Sequence, residues 1–187
     1  MFSYKNNYYL YIDNTTTINL NLIKIREKYS IIYRNLKNKE SVVVLKRFRQ
    51  KCREKSIKFY VANDLYLLHT LKADGLYISA FNRKFSYLDK TIDIIGSAHN
   101  FKEIYEKKKQ GCRKIFLSRL FKTEYKNKES FLGVVKFNLI LLQSKARIVP
   151  LGGIRLNNLN SLNNVNSDSL AVLSAAKKKP AISNRLF

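Results

Sequence analysis

His99 is the residue of this chain best suited to transfer protons, because histidine titrates near neutral pH. It ends the apolar run DIIGSAH (93–99), and Ser97 stands two residues before it. A solvated histidine at the start of a helix is the alternative interpretation. The other histidine, His69, lies in a helical pattern that faces no evident site, and we assign it a structural role. His99 and Ser97 are therefore the candidate catalytic residues.

Two adjacent glycines, Gly152 and Gly153, suggest phosphate binding. They end the apolar run RIVPLGG (147–153), and a later apolar run ends in LSAA, which begins with Leu173 and Ser174. A phosphate that is gripped by backbone N–H groups must come close to the main chain, and a Cβ would obstruct it. Taken alone, the glycines would equally suit a tight turn. If the C-terminal ends of these two apolar stretches are neighbours in the fold, together they predict a phosphate-binding site.

The net charge of the 187-residue chain is +23, which raises the hypothesis of nucleic-acid binding. However, Lys and Arg are spread along the whole chain, beside abundant Asn, Ile, Tyr and Phe, and this indicates a compositional bias. We therefore expect no specific nucleic-acid partner, although anionic substrates will be attracted. Arg34, near the end of SIIYRN (30–35), is a candidate clamp for a phosphate or carboxylate; otherwise it is one of many solvated cations.

The two cysteines, Cys52 and Cys112, are far apart and belong to no CxxC motif, so we predict buried, reduced thiols. No cysteine or histidine has the spacing of metal ligands. No stretch approaches 18 consecutive apolar residues, and the N-terminus lacks the apolar core of a signal peptide. We expect a cytoplasmic protein that does not associate with membranes.

Eight short apolar runs have the length and the β-branched or aromatic content of buried strands. They cover residues 8–13, 30–35, 58–63, 75–80, 93–99, 114–120, 147–153 and 169–174. Helices are predicted between them at 40–55, 64–72, 100–111, 128–145 and 157–165. This alternation predicts parallel βαβ units, and eight is the number of strands that closes a TIM barrel.

We therefore predict an α/β fold, a small (β/α)8 TIM barrel that occupies residues 1–187 as a single domain. A doubly wound open sheet is the alternative, but it usually carries a Gly-rich turn after its first strand, and the stretch YIDNTTT contains no glycine. The tail KKKPAISNRLF is too short for a full closing helix, so the barrel is expected to be trimmed there. An uncovered wall at that place suggests a homodimer contact.

Five motifs, spread over nearly the whole chain, resemble those of the thiamine phosphate synthase/TenI family and occur in the same order. The resemblance lies in VANDLYLLHTLKADGLYIS (61–79), IIGSAHN (94–100), GCRKIFLSRLFKTEYK (111–126), VPLGGI (149–154) and LAVLSAA (170–176). It implies a TIM-barrel enzyme of thiamine biosynthesis that acts on thiazole phosphate. The synthase branch couples this substrate to a pyrimidine diphosphate and releases pyrophosphate, with Mg2+ as cofactor. The TenI branch tautomerises a thiazole carboxylate phosphate, with a histidine as acid and base.

The resemblance also implies roles for single residues. Asn63 would contact the substrate diphosphate and Asp64 would bind Mg2+, although Asp64 is equally well placed to cap the following helix. Thr123 and Lys126 would hold pyrophosphate or the carboxylate end of a substrate. Arg34 matches the arginine of the family's Gln-x-Arg-x-Lys segment, which binds the pyrimidine diphosphate.

The chain departs from the family pattern after the fourth strand, where the synthases have a second metal carboxylate. Asn82, in YISAFNRK (77–84), is the nearest polar match, and a neutral amide is a poorer Mg2+ ligand than a carboxylate. This departure leaves a second hypothesis open, a degenerate barrel that binds a phosphorylated ligand without turnover. Within the family, His99 favours the TenI branch, and the residues matched to the diphosphate site favour the synthase branch.

Overall fold

Eight parallel strands close into a barrel in this computed structural model, which describes residues 5–23, 26–35, 40–85, 89–123 and 130–172. The strands are β1 Asn7–Ile12, β2 Tyr29–Tyr33, β3 Lys58–Ala62, β4 Gly75–Ile78, β5 Asp93–Ala98, β6 Lys114–Ser118, β7 Ile148–Leu151 and β8 Ser169–Val172. Each pairs with its successor, and β8 pairs with β1. The predicted TIM barrel is confirmed, and the open sheet is excluded.

The barrel strands are buried on both faces, as expected where helices cover a parallel sheet. Residues that alternate along each strand divide into two clusters, one between the strands and the helices and one inside the barrel. The interior cluster is unusually aromatic, and Phe116 is at its centre. Its ring meets Tyr9, Tyr11 and Tyr77 edge-on at centroid distances of 4.9, 5.9 and 6.1 Å. Large rings thus fill a barrel that is built from short strands.

Four α-helices cover the described part of the barrel: α1 Val42–Glu54, α2 Leu65–Thr70, α3 Phe101–Lys109 and α4 Gly133–Ser144. The first three begin at side-chain caps, in which Ser41, Asp64 and Asn100 each accept a hydrogen bond from a backbone N–H of the first turn. Four of the predicted helices are confirmed in position. None of the helices in the described ranges is both long and apolar enough to cross a bilayer.

The predicted helix at 157–165 is wrong. The chain there forms two 3-10 turns, Leu156–Asn158 and Asn160–Asn164. Asparagine side chains bond to nearby backbone and so compete with helical hydrogen bonds, as Asn158 does by accepting from the N–H of Arg155 and donating to the carbonyl of Gly153. The connection from β1 to β2 is likewise made of 3-10 turns, at Thr15–Thr17, Leu20–Leu22 and Arg26–Lys28. The barrel is therefore trimmed at its first and seventh connections, and the tail lies outside the described residues.

Candidate active site

The carboxyl ends of all eight strands meet at one rim, because the strands are parallel and the barrel is closed. The structure brings these predicted site residues to the rim: Arg34, Asn63, Asp64, Asn82, Ser97, His99, Thr123, Gly152 and Gly153. The predicted Lys126, Leu173 and Ser174 lie outside the described residues. The register pairs Leu151 of β7 with Ala171 of β8, so the ends of these two strands are neighbours at the rim.

Asn63 is held at the rim by three side-chain hydrogen bonds to described residues. Its backbone has the left-handed conformation, with φ of 55°, which asparagine tolerates better than most residues. Its amide group donates to Ser79 Oγ at 2.6 Å, and its Oδ1 accepts from the Ser79 N–H at 2.9 Å and from Asn82 Nδ2 at 3.2 Å. These bonds tie the end of β3 to the loop after β4, and among the described residues the amide uses only one of its two donors.

Ser79 is a member of this cluster that the sequence analysis missed. It is 1% exposed and immediately follows β4. Its position in the sequence could have indicated a rim residue, because a residue directly after a barrel strand lies at the rim. A serine in YISAF carries no distinctive motif, and only the cross-strand pairing shows that it meets Asn63.

Asp64 caps helix α2, because its carboxylate accepts a hydrogen bond from the Leu67 N–H at 2.9 Å. The capping role that the sequence left open is thus present. A carboxylate has several acceptor positions, so the capping bond by itself does not exclude metal binding.

The residues of this rim fit Mg2+ only in combination with a ligand. No group of three or more His, Cys, Asp or Glu side chains that could hold a metal occurs in the described ranges. Asn82 uses its own oxygen to accept from the Lys84 N–H at 3.0 Å, which makes it a poor substitute for a carboxylate. One carboxylate with phosphate oxygens and water is nevertheless an ordinary Mg2+ shell. Asp64 would therefore hold Mg2+ together with a bound diphosphate.

Arg34 follows β2, and its backbone N–H bonds to the Ile12 carbonyl at 2.8 Å. The Nε of its guanidinium is buried and has no hydrogen-bond partner among the described residues. The group lies near the Tyr11 hydroxyl inside the barrel. Burial first, and then Tyr77, raise the pKa of Tyr11 well above its ordinary value, and the Arg34 charge acts in the opposite direction. A buried guanidinium N–H without an acceptor is suited to an anionic ligand.

His99 lies outside the barrel interior and is held by helix α3. Its side chain is 55% exposed, and its Nδ1 is 2.9 Å from a carboxylate oxygen of Glu103. The same oxygen accepts a hydrogen bond from the His99 backbone N–H at 2.8 Å. Ser97, in contrast, is 7% exposed and on the inward face of β5. Ser97 lies in β5 and His99 directly follows it, and no hydrogen bond between described residues links the two, so the structure does not join them as a catalytic pair.

The glycine pair lies against the loop that follows β6. Gly152 and Gly153 have φ of 94° and 72°, and the Gly152 carbonyl accepts from the Phe121 N–H at 3.1 Å. A Cβ on Gly153 would lie 2.7 Å from the Lys122 carbonyl oxygen and closer still to the carbonyl of Phe121. The bare backbone is thus required by a neighbouring loop. The N–H groups of both glycines take part in no hydrogen bond between described residues, and backbone N–H groups of this kind can bind an anion.

Thr123 ends the described part of the same β6 loop. Its Oγ1 is 3.4 Å from Arg119 Nη1, and Arg119 packs against Gly152. The predicted anion-binding threonine is thereby connected to the glycine pair through an arginine that the sequence analysis did not select. Arg119 directly follows β6, the position from which a TIM barrel presents its binding residues.

Comparison with known proteins identifies the family of this chain. The family model described as thiamine monophosphate synthase matches residues 5–176. The thiamine biosynthesis bifunctional protein ThiED of Geobacter sulfurreducens is 32% identical over 136 residues, which cover 71% of this chain and 28% of that protein. The thiamine-phosphate synthase of Prochlorococcus marinus is 27% identical over 128 residues, or 66% of this chain and 37% of that one. The chain thus spans about a third of the length of these relatives.

A solved structure gives the same result for the fold. Thiamine phosphate pyrophosphorylase from Pyrococcus furiosus superposes with a TM-score of 0.70 and 19% identity, and the superposition covers 97% of both chains. Since the family model extends from before β1 to beyond β8, the whole barrel and its rim are included in the match. The chain belongs to the thiamine monophosphate synthase family.

Proposed function

We propose that this protein is a thiamine-phosphate synthase, which couples a pyrimidine diphosphate to thiazole phosphate at the rim of the barrel and releases pyrophosphate. Family membership over residues 5–176 is the observation that carries the proposal. The curated relatives that match the chain include several named thiamine-phosphate synthase.

The geometry of the rim supports two anion-binding positions. The first lies at the ends of β2 and β3, where, within the described part of the chain, Arg34 Nε is buried without a hydrogen-bond partner and the Asn63 amide uses one of its two donors. The second lies after β7, where the N–H groups of Gly152 and Gly153 donate to none of the described residues. A diphosphate substrate and a monophosphate substrate need two such positions, and the coupling reaction needs them on the same rim.

In this mechanism the chain binds and orients, and it stabilises the charge of the leaving group. Arg34 and Asn63 would hold the diphosphate, and their donors become more favourable as negative charge accumulates on the departing pyrophosphate. The glycine amides would anchor the thiazole phosphate and so place its ring nitrogen for attack. Mg2+ bound by Asp64 and the diphosphate would supply further neutralisation of charge. The net charge of +23 increases the local concentration of both anions.

The test is a turnover assay with pyrimidine diphosphate and thiazole phosphate, with and without Mg2+. Formation of thiamine phosphate and pyrophosphate in equal amounts is the expected result. A parallel thermal-shift titration with thiazole phosphate reports binding separately, because a ligand that binds only the folded state raises the melting temperature. Binding without any product would contradict the proposal and support the degenerate barrel.

Thiazole tautomerisation is a second candidate, and the contact between His99 and Glu103 favours it. A carboxylate at Nδ1 fixes the orientation of the ring and supports a proton on that nitrogen, which leaves Nε2 to exchange protons. Conversion of thiazole carboxylate phosphate in the absence of pyrimidine diphosphate would identify this activity. Assembly as a homodimer stays a prediction, and sedimentation velocity measures it.

A further inference from the structure

Lys107, on helix α3, is a lysine with a relative exposure of 0%. Its side chain crosses the outer face of β5 at Gly96, where the absence of a side chain makes room. A Cβ on Gly96 would lie 3.0 Å from Lys107 Cδ and 2.7 Å from Cys112 Sγ. A glycine at position 96 thus leaves space for the Lys107 side chain between α3 and β5.

The path ends at the loop after β4. Lys107 Nζ donates to the Asn82 carbonyl and to Gln110 Oε1, both at 2.8 Å, and Gln110 Nε2 donates to the same Asn82 carbonyl at 3.2 Å. One donor from α3 and one from its C-cap residue therefore converge on one backbone oxygen of a loop that has no helix among its described residues. The N–H of Asn82 is in turn bonded to the Ser79 carbonyl at 3.0 Å, so both sides of this residue are restrained.

A buried cation at this place is costly to the fold. Among the described residues no carboxylate forms an ion pair with Lys107, and burial is the main effect that lowers its pKa. Cys112, Glu106 and Glu103 act in the opposite direction, and Arg83 adds to the lowering. Methionine has nearly the same length and would fill the same space without the desolvation penalty. Packing against the barrel wall does not require a charged side chain at this position. The hydrogen bond to the loop after β4, which belongs to the rim, does require a donor.

We propose that Lys107 is a positioning residue for the diphosphate site. By holding the Asn82 carbonyl, it keeps Asn82 Nδ2 on Asn63 Oδ1, and this bond acts together with those from Ser79 to fix the rotamer of the amide that would contact the diphosphate. Gln110 completes the arrangement by orienting the ammonium group. This inference rests on the proposed function, which it deepens by adding residues from α3 to the diphosphate-binding end of the rim.

The test compares Lys107→Met with Lys109→Met, which removes the same charge from an exposed position on the same helix. The measurements are the dissociation constant of inorganic pyrophosphate with Mg2+, the KM for pyrimidine diphosphate, and hydrogen exchange of residues 79–85. For Lys107→Met, loss of charge-assisted bonds predicts an increase of about tenfold in both constants, with kcat changed by less than about threefold. Exchange of the loop should accelerate by about the same factor. Lys109→Met should match the wild type in all three.

A second variant separates positioning from a general effect on the barrel. In an Asn82→Ala background, Lys107→Met should increase the pyrophosphate dissociation constant by less than about twofold, since the side chain that transmits the effect is gone. Full additivity would overturn the inference, as would a Lys107→Met protein with normal loop exchange and normal KM. If the wild type itself neither binds pyrophosphate nor turns over, the proposed function fails, while the exchange measurement still decides whether Lys107 holds the loop.

Discussion

Replacing Gly153 by alanine tests whether the glycine pair shapes the rim. The backbone at Gly153 has φ of 72°, and an added Cβ would approach the Lys122 carbonyl oxygen to 2.7 Å and the Phe121 carbonyl more closely. Two costs therefore add up, the left-handed conformation of alanine and the displacement of the β6 loop. Gly133 offers a matched control, because its φ is 70° and no described atom lies within 4 Å of the Cβ that would be added.

The magnitudes follow from these two costs. Alanine in the left-handed region costs about 1–2 kcal/mol, and this cost applies to both Gly133→Ala and Gly153→Ala. Overpacking against backbone adds about 1–3 kcal/mol at Gly153 alone, because a carbonyl cannot rotate away as the end of a flexible side chain can. We expect Gly153→Ala to lower the free energy of unfolding by about 2–5 kcal/mol and Gly133→Ala by about 1–2 kcal/mol.

Urea unfolding of both variants measures the stability, and a thermal-shift titration with thiazole phosphate measures the binding. At a temperature where it remains folded, Gly153→Ala should bind thiazole phosphate at least about tenfold more weakly. The displaced β6 loop would shift the glycine N–H groups away from the distance and angle that a hydrogen bond to the phosphate requires. Gly133→Ala should bind normally. Equal destabilisation and equal binding in the two variants would show that the β6 loop does not press on Gly153, and the argument for the glycine pair would fail.

Three further predictions concern the other rim residues and the thiols. Asp64→Asn keeps a capping side chain, so the free energy of unfolding should change by less than about 0.5 kcal/mol while Mg2+-dependent pyrophosphate binding falls; a Mg2+ effect of wild-type size would contradict the metal role. His99→Asn should lower any thiazole tautomerisation by about 100-fold or more and leave coupling within about threefold, as measured by product chromatography; equal losses would assign His99 to the coupling reaction. Burial raises the pKa of Cys52 and of Cys112 to about 12 from an ordinary value of 9.0, and Lys107 opposes the rise at Cys112. Both thiols should therefore react with a disulfide reagent at pH 8 only after unfolding, and rapid reaction of the folded protein would refute this. Because the pKa values are higher in the folded than in the unfolded state, the stabilisation by the neutral thiols is complete below pH 9 and should be lost as the pH rises toward 12.

Much of the fold was predictable because buried parallel strands leave a strong local signal. All eight predicted strands are present, since runs such as KFYVAN and KIFLSRL are apolar on both faces and bounded by polar residues. The helix at 157–165 failed because local asparagine bonds outweighed the apolar spacing. Reduced thiols were predicted as well, and both cysteines are free, with Cys52 fully buried and Cys112 partly so.

The candidate site was predictable only as a set of strand ends. The sequence alone determined which residues follow each strand, such as Arg34, Asn63 and the glycine pair, because strand ends are recognisable from local composition. Only the tertiary structure decided that Ser79 and Asn82 anchor Asn63, that the β6 loop lies against Gly153, and that a buried lysine reaches the rim from the far side of β5. These contacts join residues from different strands and helices. Their distances depend on the closure and register of the barrel, which no local stretch of sequence encodes.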